Sequence, residues 1–212
     1  MPNSAVDSEA YLAATQFSIG KLFDSFVAQQ NALKEIQGQL EAIDAAKQLQ
    51  HDIFVDRDQW SINANYLYGQ FLGRLHQLNA QADAIGDTEQ EQIATALARL
   101  GATEESMGVF AGAILQVAKQ ILSYRHGGKS NMPSSRTIGS QELIEIVWEG
   151  RNHAMHWEDP TPNARVAAML AALSADMGMK ITPSKNLSWP ILAAIGWKNE
   201  TEMTDEMRTL IQ

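Results

Sequence analysis

Residues 140–159 read SQELIEIVWEGRNHAMHWED, and the reading of the rest of the chain starts from this stretch. Leu143, Val147, Gly150, Ala154 and Trp157 recur in steps of four and three, the period of one buried face of an α-helix. Glu142, Glu149, His153 and His156 fall on another side. Arg151 flanks them, near Ile144, Trp148 and Met155. Ser140 is suited to cap the helix, and Pro160 and Pro162 limit its far end. The expectation is a helix over about 140–158 whose polar groups gather along one edge.

The same period extends in both directions. Asp7 or Ser8 is placed to cap a first helix. Its positions Leu12, Phe17, Leu22, Phe26, Leu33, Ile36, Leu40 and Ile43 predict one buried face, with an end near Gln50 and a kink at Gly20 or Gly38. His51 to Asp56 reads as a connector. Asp56 or Asp58 then caps a second helix carrying Trp60, Leu67, Phe71, Leu75 and Leu78. Gly86-Asp87 marks a turn, Thr88 to Leu100 a short helix, and Gly101 its stop. Thr103-Glu104-Glu105 starts another helix with Met107, Phe110, Ile114, Val117 and Ile121, ending at Gly127-Gly128. Lys129 to Gly139, rich in Gly, Ser, Asn and Pro, is the best loop and the expected mobile segment. Asn163 opens a helix from Ala164 to about Met177. The tail, 178–212, holds two short helices starting at Ser188-Trp189-Pro190 and Thr204-Asp205-Glu206. The fold class predicted is all-α: one domain over 1–212, a helix bundle with a long N-terminal helix and a short helical tail.

Composition narrows the functions. The 212 residues are 45% hydrophobic and 19% charged, an ordinary globular balance. No cysteine is present, so disulfides and thiolate metal sites are excluded. The formal charge of −9, from 25 acidic against 16 basic residues, argues against a broad non-specific nucleic-acid surface but not against one small basic site. No run of 18 apolar residues predicts a membrane span, and no basic-plus-apolar leader opens the chain. The expected compartment is the cytoplasm.

Two chemistries fit residues 149–156. Glu149, His153 and His156 stand at i, i+4 and i+7, so a carboxylate and two imidazoles share one helix face, a set suited to zinc, iron or manganese. The paired Glu-x-x-His pattern of helical-bundle metal proteins is absent, however, and His76 and His126 are isolated. The other chemistry is phosphate handling. An arginine holds a phosphate through two hydrogen bonds, and a histidine exchanges protons near neutral pH. Simpler readings stand beside these. Arg151 pairs with Glu149 or Asp159, Glu149 is a solvated carboxylate, and His153 is solvated. Trp148 and Trp157 are core or interface residues. Arg125 and His126 cap the end of their helix, with substrate contact as the weaker alternative. Lys129 and Arg136 are loop cations that reach substrate only if the loop carries them there.

Arg151-Asn152-His153-Ala154-Met155-His156 resembles the signature of the HEPN superfamily, in which an Arg is followed after four to six residues by a His and is commonly neighboured by Asn. The resemblance covers the motif helix and the all-helical setting. It implies a metal-independent endoribonuclease of the toxin, defence or stress kind, with Arg151, Asn152 and His156 catalytic and no cofactor. It further implies a homodimer with two motifs at one cleft, RNA as substrate, and an antitoxin or nucleotidyltransferase as a possible partner. The chemistry implied is attack by the RNA 2′-hydroxyl, leaving a 2′,3′-cyclic phosphate. Glu149, His153, Arg125 and His126 are weaker candidates for substrate contact. The alternatives are a non-cleaving nucleotide- or partner-binding module and the metal protein built on Glu149, His153 and His156.

Overall fold

The computed structural model describes residues 3–56, 67–159, 161–181 and 185–212, with side chains described outside 46–87 and Glu89. Its described residues form six α-helices: α1 (Ala5–Asp56), α2 (Leu67–His126), α3 (Leu143–His156), α4 (Ala164–Met177), α5 (Ser188–Ile195) and α6 (Glu200–Ile211). A single 3-10 turn, Lys129–Asn131, and a two-residue strand pair, β1 (Thr137–Ile138) with β2 (Gln141–Glu142), separate α2 from α3. The protein is all-α, with a long N-terminal helix and a helical tail.

The helices are fewer and longer than the local signals predict. α1 runs without a break through Gly20, Gly38 and the expected connector at His51 to Asp56. Its cap is Ser4, not Asp7 or Ser8. The Ser4 hydroxyl accepts from the Asp7 N–H at 3.2 Å and the Asp7 carboxylate accepts from Ser4, a reciprocal box that satisfies two end donors. α2 passes through Gly86-Asp87 and Gly101, both expected as stops. One glycine costs about 1 kcal/mol in a helix, which burial of the flanking residues can exceed. Ala96, Thr103 and Met107 are all buried, so the register holds across Gly101. Trp60 and the proposed cap Asp58, the side chains of Leu67, Phe71, Leu75 and Leu78, and Pro160 lie outside what is described.

The chain divides into two compact units: residues 1–30 with 104–212, and residues 31–103. In the second, Ile36 and Ala96 are buried. The first holds the larger core. From α1 it takes Leu12, Ile19, Phe23 and Phe26, whereas Phe17, expected in this row, is 76% exposed. Phe17 stands five residues after Leu12 and two before Ile19, which turns it away from that stripe. From α2 come Met107, Ala111, Ile114, Leu115, Ala118, Ile121 and Leu122, all fully buried. The segment Gln90–His126 is long and apolar enough by composition to cross a membrane, but this row is enclosed within the unit, as in a core helix.

α3 is the hub. It packs on α4, α5 and β2, and it meets α2 so closely that a Cβ added at Gly112 would stand 2.9 Å from that of Ala154. Seven of its fourteen residues are buried, including Glu149 and His153. Its start differs from the expected one. Gln141 and Glu142 pair with Ile138 and Thr137 instead of joining the helix, and the turn between the strands needs Gly139 at φ +58°. Ser140 does not cap α3; its N–H and hydroxyl both bind Asp176 of α4, each at 2.7 Å, which holds the Asp176 carboxyl below its usual pKa. The end donors of α3 go to the preceding loop, Leu143 N to the Arg136 carbonyl and Ile144 N to the Ser135 hydroxyl.

The other ends behave more simply. Asn163 caps α4 by accepting from Arg165 N, and Gly178 at φ +67° closes it. α6 begins at Glu200, four residues before the expected start, because the Asn199 side chain accepts from Glu202 N. Its row Met203, Met207, Leu210 and Ile211 is buried.

Candidate functional site

The second half of α3 carries every residue of the sequence motif, and each has a distinct environment. Glu149 is 1% exposed. It is a buried carboxylate, not the solvated one expected, because two donors from different places reach it. Lys129 of the 3-10 turn donates to Oε1 at 2.9 Å, and the Asn152 amide donates to Oε2 at 3.0 Å. Lys129 also pairs with Glu145. The loop cation thus closes on α3 instead of reaching outward. A cavity of about 350 Å³ opens beside it, lined in part by Met132, Pro133, Ile144 and Glu145. This cavity lies at the opening turn of α3, and His156 closes the helix at the other end.

His153 is 7% exposed, also contrary to the solvated reading. Its Nε2 accepts from the backbone N–H of Leu187, at the entrance to α5, at 3.0 Å. The ring is therefore neutral at Nε2. Burial pushes its pKa below the usual histidine value, and a backbone hydrogen bond to Lys185 opposes that only in part. His153 fastens α3 to α5 and is not presented to solvent.

Arg151 lies half-buried between α3 and α2. Its Nε donates to the Gln116 side chain, and Nη1 donates to Asn152 Oδ1 at 3.4 Å. It pairs with neither Glu149 nor Asp159. Asn152 stands between charges, accepting from Arg151 and donating to Glu149. It therefore helps set the position of Arg151. One turn beyond Gln116, Lys119 places its Nζ 4.6 Å from the centre of the Trp148 ring. Burial, and then the charge of Arg151, lower the Lys119 pKa. Neither Gln116 nor Lys119 belongs to any motif. Their polar i, i+3 spacing beside the apolar row of α2 was the signal available.

His156 is the exposed member. Its side chain keeps 66% of its accessible surface, and Nδ1 lies 3.5 Å from the Asp159 carboxylate. Met155 beside it is exposed as well. Glu149, His153 and His156 thus point to three different partners. Among the described residues, no group of three or more His, Asp and Glu side chains is arranged to hold a metal ion.

The other cations singled out in the sequence are bound within the fold. Arg125 donates to the carbonyls of Asn3, Ile211 and Gln212, and the His126 ring donates to the Leu210 carbonyl. They close the end of α6, not that of their own helix, and tie the two chain ends to α2. Arg136 forks onto Glu206 and reaches the Ile195 carbonyl. Arg151 and Lys119 are half-buried at the α2–α3 contact, and His156 is exposed at the end of α3. Compared with known proteins, the chain matches no family model, no curated protein and no solved structure.

Proposed function

We propose that the chain is a metal-independent endoribonuclease of the HEPN type that acts as a homodimer, with Arg151 and His156 at the centre of its chemistry. One observation carries this reading. Arg151 is oriented by two neutral groups, Gln116 and Asn152, so its charge is left uncompensated one and a half turns before an exposed histidine. Arg136 and Arg208 each meet a carboxylate, and Arg125 is engaged by three backbone carbonyls.

The reaction needs no more than these groups. The RNA 2′-hydroxyl gives its proton to a neutral His156 and its oxygen bonds to phosphorus. The bond to the 5′-oxygen breaks, and that oxygen takes a proton from a protonated His156 of the second copy. The products are a 2′,3′-cyclic phosphate and a 5′-hydroxyl. Arg151 holds the non-bridging oxygens as their charge grows. Asp159 at Nδ1 steadies the His156 ring and leaves Nε2 to exchange the proton. A cytoplasmic setting and a neutralising partner, either an antitoxin or a nucleotidyltransferase, belong to the same reading.

The test is RNA cleavage by the purified protein, Arg151→Ala and His156→Ala in excess chelator, with analysis of product ends. Loss of acid–base catalysis should slow His156→Ala by about 100-fold or more. Its stability should stay within about 0.5 kcal/mol of the parent, because the side chain is exposed. A His156→Ala protein that cleaves at the parent rate refutes the assignment. No cleavage by the parent on several RNA classes would leave the non-cleaving binding module as the better reading.

A further inference from the structure

Two rows of side chains meet where α2 and α3 touch. Gln116 accepts from Arg151, and one turn further along α2 Lys119 covers the ring of Trp148, which precedes Arg151 by three residues on α3. Two cations are thereby fixed on neighbouring rungs of the same helix pair. Among the described residues, no carboxylate lies within ion-pair distance of either, as one does at Lys129 and at Arg208; the two are distinguished by lying side by side at one helix contact. Like charges held together raise each other's cost, and desolvation adds to it. The depressed pKa of Lys119 has both causes. In a chain of net charge −9, a paired positive site without a counter-charge stands out as unneutralised.

We infer that Lys119 and Arg151 together form a two-cation seat for one phosphodiester of an RNA strand, with Arg151 binding through its fork and Lys119 as a point charge. The inference rests on the RNA reading of this site and adds to it a binding residue from outside the motif. Trp148 serves as the support for the Lys119 stem and ammonium, not as a platform for a base. Seating a phosphate here anchors one point of the strand at the α2–α3 contact.

The experiment is fluorescence-anisotropy binding of a labelled 12-mer RNA, 2′-O-methylated throughout so that it cannot be cleaved, across a range of salt concentrations. Lys119→Gln should weaken binding roughly fivefold. It should also lower the slope of log affinity against log salt by about 0.7, the value for one contact to a single strand. Lys119→Arg should restore both. Lys198→Gln, an exposed lysine elsewhere, should change neither. The inference is overturned if Lys119→Gln binds with parental affinity and slope, if Lys198→Gln has the same effect, or if the parent does not bind the RNA. A parent that binds with the Lys119-dependent slope but cleaves no unmodified RNA keeps the seat and removes the nuclease reading. A parent that cleaves while Lys119→Gln binds normally does the reverse.

Discussion

Lys129→Met breaks the buried ion pair that anchors the motif helix, together with the partly exposed pair to Glu145. Glu149 is 1% exposed and has two partners, Lys129 at 2.9 Å and Asn152 at 3.0 Å. Methionine keeps most of the lysine stem but removes the charge, leaving the carboxylate buried against one amide. Removing one member of a buried pair costs about 3–5 kcal/mol, mostly because the remaining charge has lost its compensation. Lys129 keeps 24% of its side-chain surface, so water relieves part of that penalty and the lower figure applies. The expected loss is about 3 kcal/mol, or roughly 6–12 °C in Tm for a chain of this size. Urea and thermal unfolding followed by helical ellipticity would measure it. Adding Glu149→Gln removes the stranded charge while keeping an acceptor for Asn152, and should recover more than half the loss. A cost below about 1 kcal/mol for Lys129→Met, the size of a surface pair, would refute the reasoning. So would a double variant no more stable than the single one.

The neutral His153 ring makes stability depend on pH. Its folded pKa lies below the unfolded value, so the unfolded chain binds more protons between the two. The stability it supports is present above about pH 6.5, the ordinary histidine value, and falls as pH drops through the folded value. Urea midpoints at pH 7, 6 and 5 should decline less in His153→Gln than in the parent; equal declines would remove His153 as the cause. The glycines of α2 give a paired contrast. Gly112→Ala places a methyl 2.9 Å from the Ala154 Cβ and should cost about 1–3 kcal/mol by prising α2 from α3. Gly101→Ala meets nothing within 4 Å and should gain about 0.5–1 kcal/mol from helix propensity alone. Calorimetric Tm values moving in the same direction would break that contrast.

Helix content was legible because Ala, Leu, Gln and Glu dominate and apolar residues recur at helical spacing. Boundaries were less so, because a local stop signal is small beside the burial that overrides it. Gly101 offers about 1 kcal/mol against helix, while Ala96, Thr103 and Met107 are buried to either side in one register. The two short strands carried no period at all. They exist because Gly139 can turn at positive φ and because Asp176 of α4, 36 residues beyond Ser140, binds that serine. Phe17 shows the converse error. Hydrophobicity placed it inside, but its angle around α1 differs from that of Leu12 and Ile19, and the angle decides.

The site divides along the same line. The motif residues Arg151, Asn152 and His156 were visible as neighbours in sequence, and so was their common helix. Which of the flanking groups are buried was not visible, because the elements that bury them come from elsewhere. Glu149 is enclosed by a lysine 20 residues upstream and His153 by a backbone N–H 34 residues downstream. Helical periodicity assigns both to the polar edge, and it cannot know that α5 and the 3-10 turn cover that edge. This has a consequence for the metal alternative. Glu149 and His153 each spend their ligating atoms on a protein donor, so binding a metal there would require breaking a buried ion pair and releasing the Leu187 N–H. The residues that sequence spacing made look alike are therefore separated by their partners: Glu149 and His153 are committed to holding the helices together, whereas Arg151 meets only neutral groups and His156 stays exposed.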